Sequence, residues 1–130
     1  MSSGILENAR PVAIICTRDR ARSAPFYRDT LGLRLVAEDQ FAAVFSLNGA
    51  VMRLSDVADW RPHEHTIFGF NVDDISACVK ALASKGVSFI RYQGMNQDDD
   101  GVWVSPDGAA KVAWFKDPDG NNLSIAEFSA

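Results

Sequence analysis

The 130-residue sequence has no long apolar run, no surplus of basic residues, and very few soft metal ligands, with only two cysteines and two histidines. Its longest apolar stretches are about half a dozen residues, far short of the roughly 20 that a membrane-spanning helix needs. The first residues have neither a charged n-region nor an apolar h-region, so the expectation is a soluble, unexported, cytoplasmic protein that does not engage a membrane. Lys and Arg number 13 against 17 Asp and Glu, a net charge of -4. Without a basic run or stripe to neutralise phosphates, nucleic acid is not an expected partner. Cys16 and Cys78 have no paired spacing and no flanking Cys or His. They read as two buried free thiols in a reducing compartment, neither of them catalytic.

What is present is the composition of a globular chain, 47% hydrophobic and 23% charged. A chain of this size buries roughly two thirds of the surface its unfolded form exposes, enough for a core that needs no disulfide or metal. Met1 to Ala9 lack periodicity and read as a loose terminus. Pro11 to Thr17 form an apolar, β-branched run that predicts a buried strand. A short helix follows, with Ser23 as N-cap, Pro25 in its first turn, Phe26, Tyr27 and Leu31 on one side, and Gly32 as its stop. Arg34 to Glu38, Phe41 to Leu47 and Ala50 to Ser55 then read as strands, with Asn48-Gly49 as a hairpin turn between the last two.

After a polar connector, residues 56–64, the order repeats. Ile67 to Val72 predicts a strand, and Asp73-Asp74 can cap a helix whose Ile75, Val79 and Leu82 share one face before Gly86. Val87 to Tyr92, Val102 to Val104, Lys111 to Lys116 and Leu123 to Phe128 read as further strands, the last two joined by a turn at Asp117-Pro118-Asp119-Gly120. The interval from Asp19 to Gly32 is 13 residues, and so is that from Asp73 to Gly86, as an internal duplication requires. The prediction is one α+β domain over residues 10–128, made of β-α-β-β-β units at 10–55 and 65–128 with the linker 56–64 between them.

Two such units, with D-x-x-x-S-x-x-F-Y at Asp19 to Tyr27, L-G-L at Leu31 to Leu33 and D-P-D-G-N at Asp117 to Asn121, together resemble the vicinal oxygen chelate superfamily. It groups glyoxalase I, extradiol dioxygenases, and fosfomycin and bleomycin resistance proteins. The resemblance spans Arg10 to Phe128 and implies a curved, half-open mixed-sheet barrel with helices outside and a cleft inside, commonly completed by a homodimer. It does not fix a reaction.

Chemistry in that superfamily usually depends on a divalent metal held by His, Glu or Gln at four cleft-facing positions, on the first and last strand of each unit. By this registration the positions here are Val12, Arg53, Ile67 and Ser124. Strand alternation supports the register, sending Met52, Leu54, Leu123 and Ile125 toward the helices. Aliphatic side chains and a permanently protonated guanidinium cannot ligate a cation, so no metal and no cofactor is expected. His63 and His65 lead into the Ile67 strand. If that strand extends backward, His65 reaches the cleft mouth as a ligand contact or a weak catalytic candidate, or the pair binds zinc or nickel with one added carboxylate; otherwise both are loop residues. Asp98-Asp99-Asp100 lacks the spaced ligand pattern of a calcium loop and reads as a solvated loop or lid.

Arg53 has three readings: a cleft-rim position, an internal ion pair, or an anion-binding group. Trp103, Trp114, Phe45 and Tyr92 could supply flat walls for an aromatic guest or be plain core. The favoured expectation is a metal-independent protein that binds a small organic compound, anionic or aromatic, in its cleft. The alternatives are a lyase, isomerase or dioxygenase using displaced ligands or His65 as general base, and a non-catalytic dimerising module.

Overall fold

A computed structural model describes residues 4–129. Part of the expected loose terminus lies outside them; Gly4 to Ala9 form exposed turns with Ile5 and Leu6 in solvent. The first unit consists of β1 (Val12–Thr17), α1 (Arg20–Pro25), β2 (Arg34–Glu38), β3 (Ala42–Leu47) and β4 (Ala50–Asp56). The second consists of β5 (Thr66–Asn71), α2 (Ile75–Ser84), β6 (Trp103–Val104), β7 (Ala110–Lys116) and β8 (Asn122–Phe128). The strand orders are β1-β4-β3-β2 and β5-β8-β7-β6, and in each sheet the first and last strands of the unit pair in parallel. The duplication is thus a repeat of topology.

In both sheets one face packs against the helices. Met52, Leu54, Leu123 and Ile125 are buried there, as alternation predicts, and each stabilises the fold by roughly 1.5–3 kcal/mol. One continuous core joins the units through Ile15, Tyr27, Phe45, Val79, Phe115 and their neighbours. Phe45 belongs to this core and not to a ligand wall: it is fully buried and its ring lies 6.1 Å from that of Tyr27.

The local signals hold at the turns. Asn48 and Gly49 have φ of 45° and 88°, both in the left-handed region that a two-residue hairpin of this twist requires. Asp74 caps α2 by accepting a hydrogen bond from the Ala77 N–H at 3.1 Å. Two expectations are corrected. Ser23 lies inside α1 and not at its cap, because the helix starts at Arg20, and after Pro25 the chain continues as a π-helical turn, Phe26–Thr30, in which Leu31 N–H donates to Phe26 O. Val87 to Tyr92 is not a strand. It touches the sheet through one bridge, Phe89 to Phe115, and through Ile90 N–H on Trp114 O, while the Gln97 side-chain amide occupies Ile90 O and Tyr92 N–H.

The β7–β8 turn joins the two units. Asp117 Oδ1 accepts from the N–H groups of Asp119 and Asn121, the turn geometry read from sequence, while Oδ2 accepts from Tyr27 Oη at 2.5 Å and Asn121 Nδ2 at 2.9 Å. Asp119 accepts from Ser23 Oγ at 2.6 Å and from the backbone N–H of Arg18, and Asn121 Nδ2 also donates to Cys16 O. The D-x-x-x-S-x-x-F-Y segment and the D-P-D-G-N turn are therefore two sides of one polar joint. Burial and the adjacent carboxylates push the Tyr27 phenol well above its ordinary range. Burial likewise raises Asp117, whereas Asp119 is held low despite burial by the bonds it accepts from Ser23 and Arg18.

Candidate functional site

The sheet faces turned away from the helices carry the candidate site, and strand register decides which side chains meet there. In the first sheet Arg53 of β4 lies between Ile14 of β1 and Val44 of β3. In the second, Ser124 of β8 lies between Gly69 of β5 and Trp114 of β7. These two rows correspond, since each centres on the last strand of its unit beside the parallel first strand.

The first row is aliphatic around one charge. Arg53 Nη2 donates to Asp39 Oδ2 at 2.8 Å, and both partners are partly open to solvent. Asp39 sits in the β2–β3 turn, where its Oδ1 also accepts from the N–H groups of Phe41 and Ala42. Hydrogen bonds from Arg53 and this backbone hold the carboxyl below its ordinary range. The ion pair of Arg53 with Asp39 is open to solvent, not internal, and its single bond to one Asp39 oxygen leaves other guanidinium N–H groups unengaged by Asp39.

The second row is aromatic and hydroxylic. Trp114 stacks edge-on against Tyr92 at 5.3 Å between centroids and lies 6.4 Å from Trp103, which pairs across the strands with Val112. Tyr92 Oη accepts from Asn122 Nδ2 at 2.7 Å, fixing the ring. A Cβ at Gly69 would stand 2.6 Å from Ser124 Oγ, so the missing side chain keeps the space over that hydroxyl open.

The structure thus unites Ser124, Trp103 and Trp114 and places Arg53 at the matching point of the other sheet. Val12 shares Arg53's face but pairs with Val51; Ile14 is the residue directly beside Arg53. Ile67 is corrected. It is the extra residue at the register shift between Thr66 and Phe68 and packs against the core, leaving Gly69 opposite Ser124. Gly69 and Asp39 were missed because both depend on a bulge or a hairpin register, which local alternation does not encode. β5 begins at Thr66 and does not extend back to His65, which is exposed beside His63, ring to ring at 5.2 Å, with Trp60 6.1 Å from His63.

A divalent cation does not fit these rows. Ile14, Arg53, Gly69 and Ser124 offer one hydroxyl and a fixed positive charge, with no imidazole or carboxylate among them. Among the described residues no cluster of three or more His, Cys, Asp or Glu side chains is disposed to hold a metal ion. No helix among them is long and apolar enough to cross a membrane.

Comparison with known proteins gives the same scaffold. A glyoxalase family protein from Bacillus anthracis superposes with a TM-score of 0.76 at 15% identity, covering 99% of this chain and 100% of that one. A lactoylglutathione lyase from Agrobacterium tumefaciens gives 0.71 at 16% identity, with coverage of 92% and 93%. A superfamily member from Sphaerobacter thermophilus gives 0.71 at 24% identity, with coverage of 91% and 95%. At such identities the likeness concerns the fold alone. No curated protein matches the sequence. The family model described as Glyoxalase/Bleomycin resistance protein/Dioxygenase superfamily matches residues 10–125, and with the duplicated topology this establishes that the chain belongs to that superfamily.

Proposed function

We propose that this chain is a binding member of the superfamily whose inherited metal site is lost and whose cleft holds a small organic anion with an aromatic part. The observation that carries this reading is the pairing of the two rows: Trp114, Trp103 and Tyr92 beside Ser124 on one sheet, and Arg53 among Ile14 and Val44 on the other. A flat ring gains dispersion and edge-to-face contact on the tryptophans, Ser124 offers a hydroxyl, and Arg53 meets a carboxylate or sulfonate through its remaining N–H groups. Ser124 is flanked by Gly69 and Trp114, with no imidazole or carboxylate beside it to activate its hydroxyl, which favours binding over turnover.

The same face supports assembly as a homodimer. Val12, Ile14 and Val51 are 51%, 62% and 39% exposed side by side, an aliphatic patch that a second copy would cover. The free thiols Cys16 and Cys78 suit a reducing, cytoplasmic setting.

Thermal shift of chelator-treated protein against aromatic carboxylates and sulfonates, from benzoate to naphthoate size, tests the reading. Stabilisation by the acids, reduced in Arg53→Gln and weaker for the neutral amides, is expected; no stabilisation by any of them contradicts it. The close approach of His63 and His65 favours a second reading, a displaced catalytic site. A stoichiometric transition metal in protein purified without chelators, lost in His65→Ala, would establish that reading instead.

A further inference from the structure

On the helix side of the second sheet lies a cavity of about 140 Å³, partly open to solvent and separate from the rows described above. Its walls include Phe70 and Phe115 from the strands, Cys78 and Leu82 from α2, and Leu31 and Leu33 from the segment following the π-helical turn. Every lining side chain is aliphatic or aromatic apart from the thiol. Two aromatic walls are braced and cannot relax inward freely. Phe115 is held between Phe26 at 6.3 Å and Phe89 at 5.8 Å, and Phe70 packs edge-on against Phe68 at 5.1 Å. A small lipophilic occupant would gain dispersion contacts with these walls and take their exposed apolar surface out of water.

We propose that this cavity is a second binding site, for a compact uncharged hydrocarbon-like molecule of benzene to toluene size. The volume sets the upper bound: about 140 Å³ accommodates a molecule of benzene size, whereas drug-sized ligands need roughly 300 Å³ or more. The lining sets the chemistry, since no carboxylate, amide or guanidinium is present to pair with a polar or charged guest. The two sites lie back to back. Gly69, Ser124 and Trp114 face the organic-anion site, while the next residue in each strand, Phe70, Ile125 and Phe115, lines the cavity. Cys78 is half-buried in the wall, where burial raises its thiol, so its reactivity reports occupancy.

The test uses the full chain carrying Cys16→Ser, with toluene as probe. Toluene is expected to raise the melting temperature and to slow maleimide alkylation of Cys78 at least fivefold, and Cys78→Met, which fills the space with a flexible side chain, should lose most of the thermal shift. Unchanged melting temperature and alkylation, or an equal shift in both proteins, overturns the proposal. Should Cys78→Met fail to fold, the unsubstituted chain is titrated with xenon and followed by ¹²⁹Xe NMR. A saturable one-site shift supports the site, and a linear shift without saturation overturns it.

Discussion

The two halves of the molecule share a strand order and differ in almost everything mounted on it. The first carries a six-residue α1 prolonged by a π-helical turn, a complete edge strand β2, and a two-residue β3–β4 hairpin. The second has a ten-residue α2, a two-residue edge strand β6 reached through an irregular segment, and a β7–β8 turn docked onto the first half. The rows on the open faces differ as sharply, aliphatic with one ion pair against aromatic with one hydroxyl. The contrast teaches that the duplicated backbone fixes positions and leaves their chemistry free, so equivalent points of the two sheets carry different groups.

The contrast between the turns is the easiest to break. Asp117→Ala strips partners from Tyr27 Oη, Asn121 and the Asp119 N–H and should cost about 3 kcal/mol in urea unfolding, because buried donors are left without acceptors. Gly49→Ala at the other turn meets only the left-handed backbone penalty, about 1 kcal/mol. Equal losses would erase the distinction between a joint and a plain hairpin. Between these two in size is Trp114→Ala, which should weaken binding of an aromatic carboxylate about tenfold, or ~1.4 kcal/mol, with little change in the neutral-site affinity for toluene. The smallest effect is expected at Asp39→Asn, which loosens an ion pair open to solvent and should leave the urea-unfolding midpoint nearly unchanged. A loss as large as that of Asp117→Ala would mean that the first half relies on its open face as much as the second relies on its joint.

The joint also predicts how stability responds to acid. Asp119 has a lowered folded-state pKa, so the stabilisation it supplies is complete above the ordinary aspartate range, near pH 4, and is lost as pH falls through the lowered value. Asp117 is raised and has the opposite sign: its contribution is full below the ordinary range and declines as pH rises through the raised value. Asp119→Asn should therefore flatten the acid limb of a stability–pH curve, and Asp117→Asn should steepen it. Identical curves for the two variants would contradict the assignment of opposite shifts.

Much of the fold was legible because its determinants are local. Alternation placed Met52, Leu54, Leu123 and Ile125 on the buried face, Asn48-Gly49 marked the hairpin, and the equal Asp-to-Gly spacings marked the repeat. What escaped depends on contacts distant in sequence. Val87 to Tyr92 has strand composition, but Gln97 takes its backbone groups. The one-residue bulge at Ile67 moves Gly69 to the position opposite Ser124, since a shift of one residue exchanges the two faces of a strand. Asp39 reaches Arg53 only once β2, β3 and β4 are registered, so the partner of the most informative charge could not be read from its neighbours.

The account rests on the claim that ligand binding at the Arg53 and Ser124 rows needs no cation, and a fluorescence titration in a Trp60→Phe background tests it most directly. That variant leaves Trp103 and Trp114, both at the site, as the reporters. The account predicts that Mn²⁺ and Zn²⁺ leave their emission unchanged and that an aromatic carboxylate quenches it equally with and without chelator. Stoichiometric quenching by either ion, with carboxylate binding abolished by chelator, would contradict it.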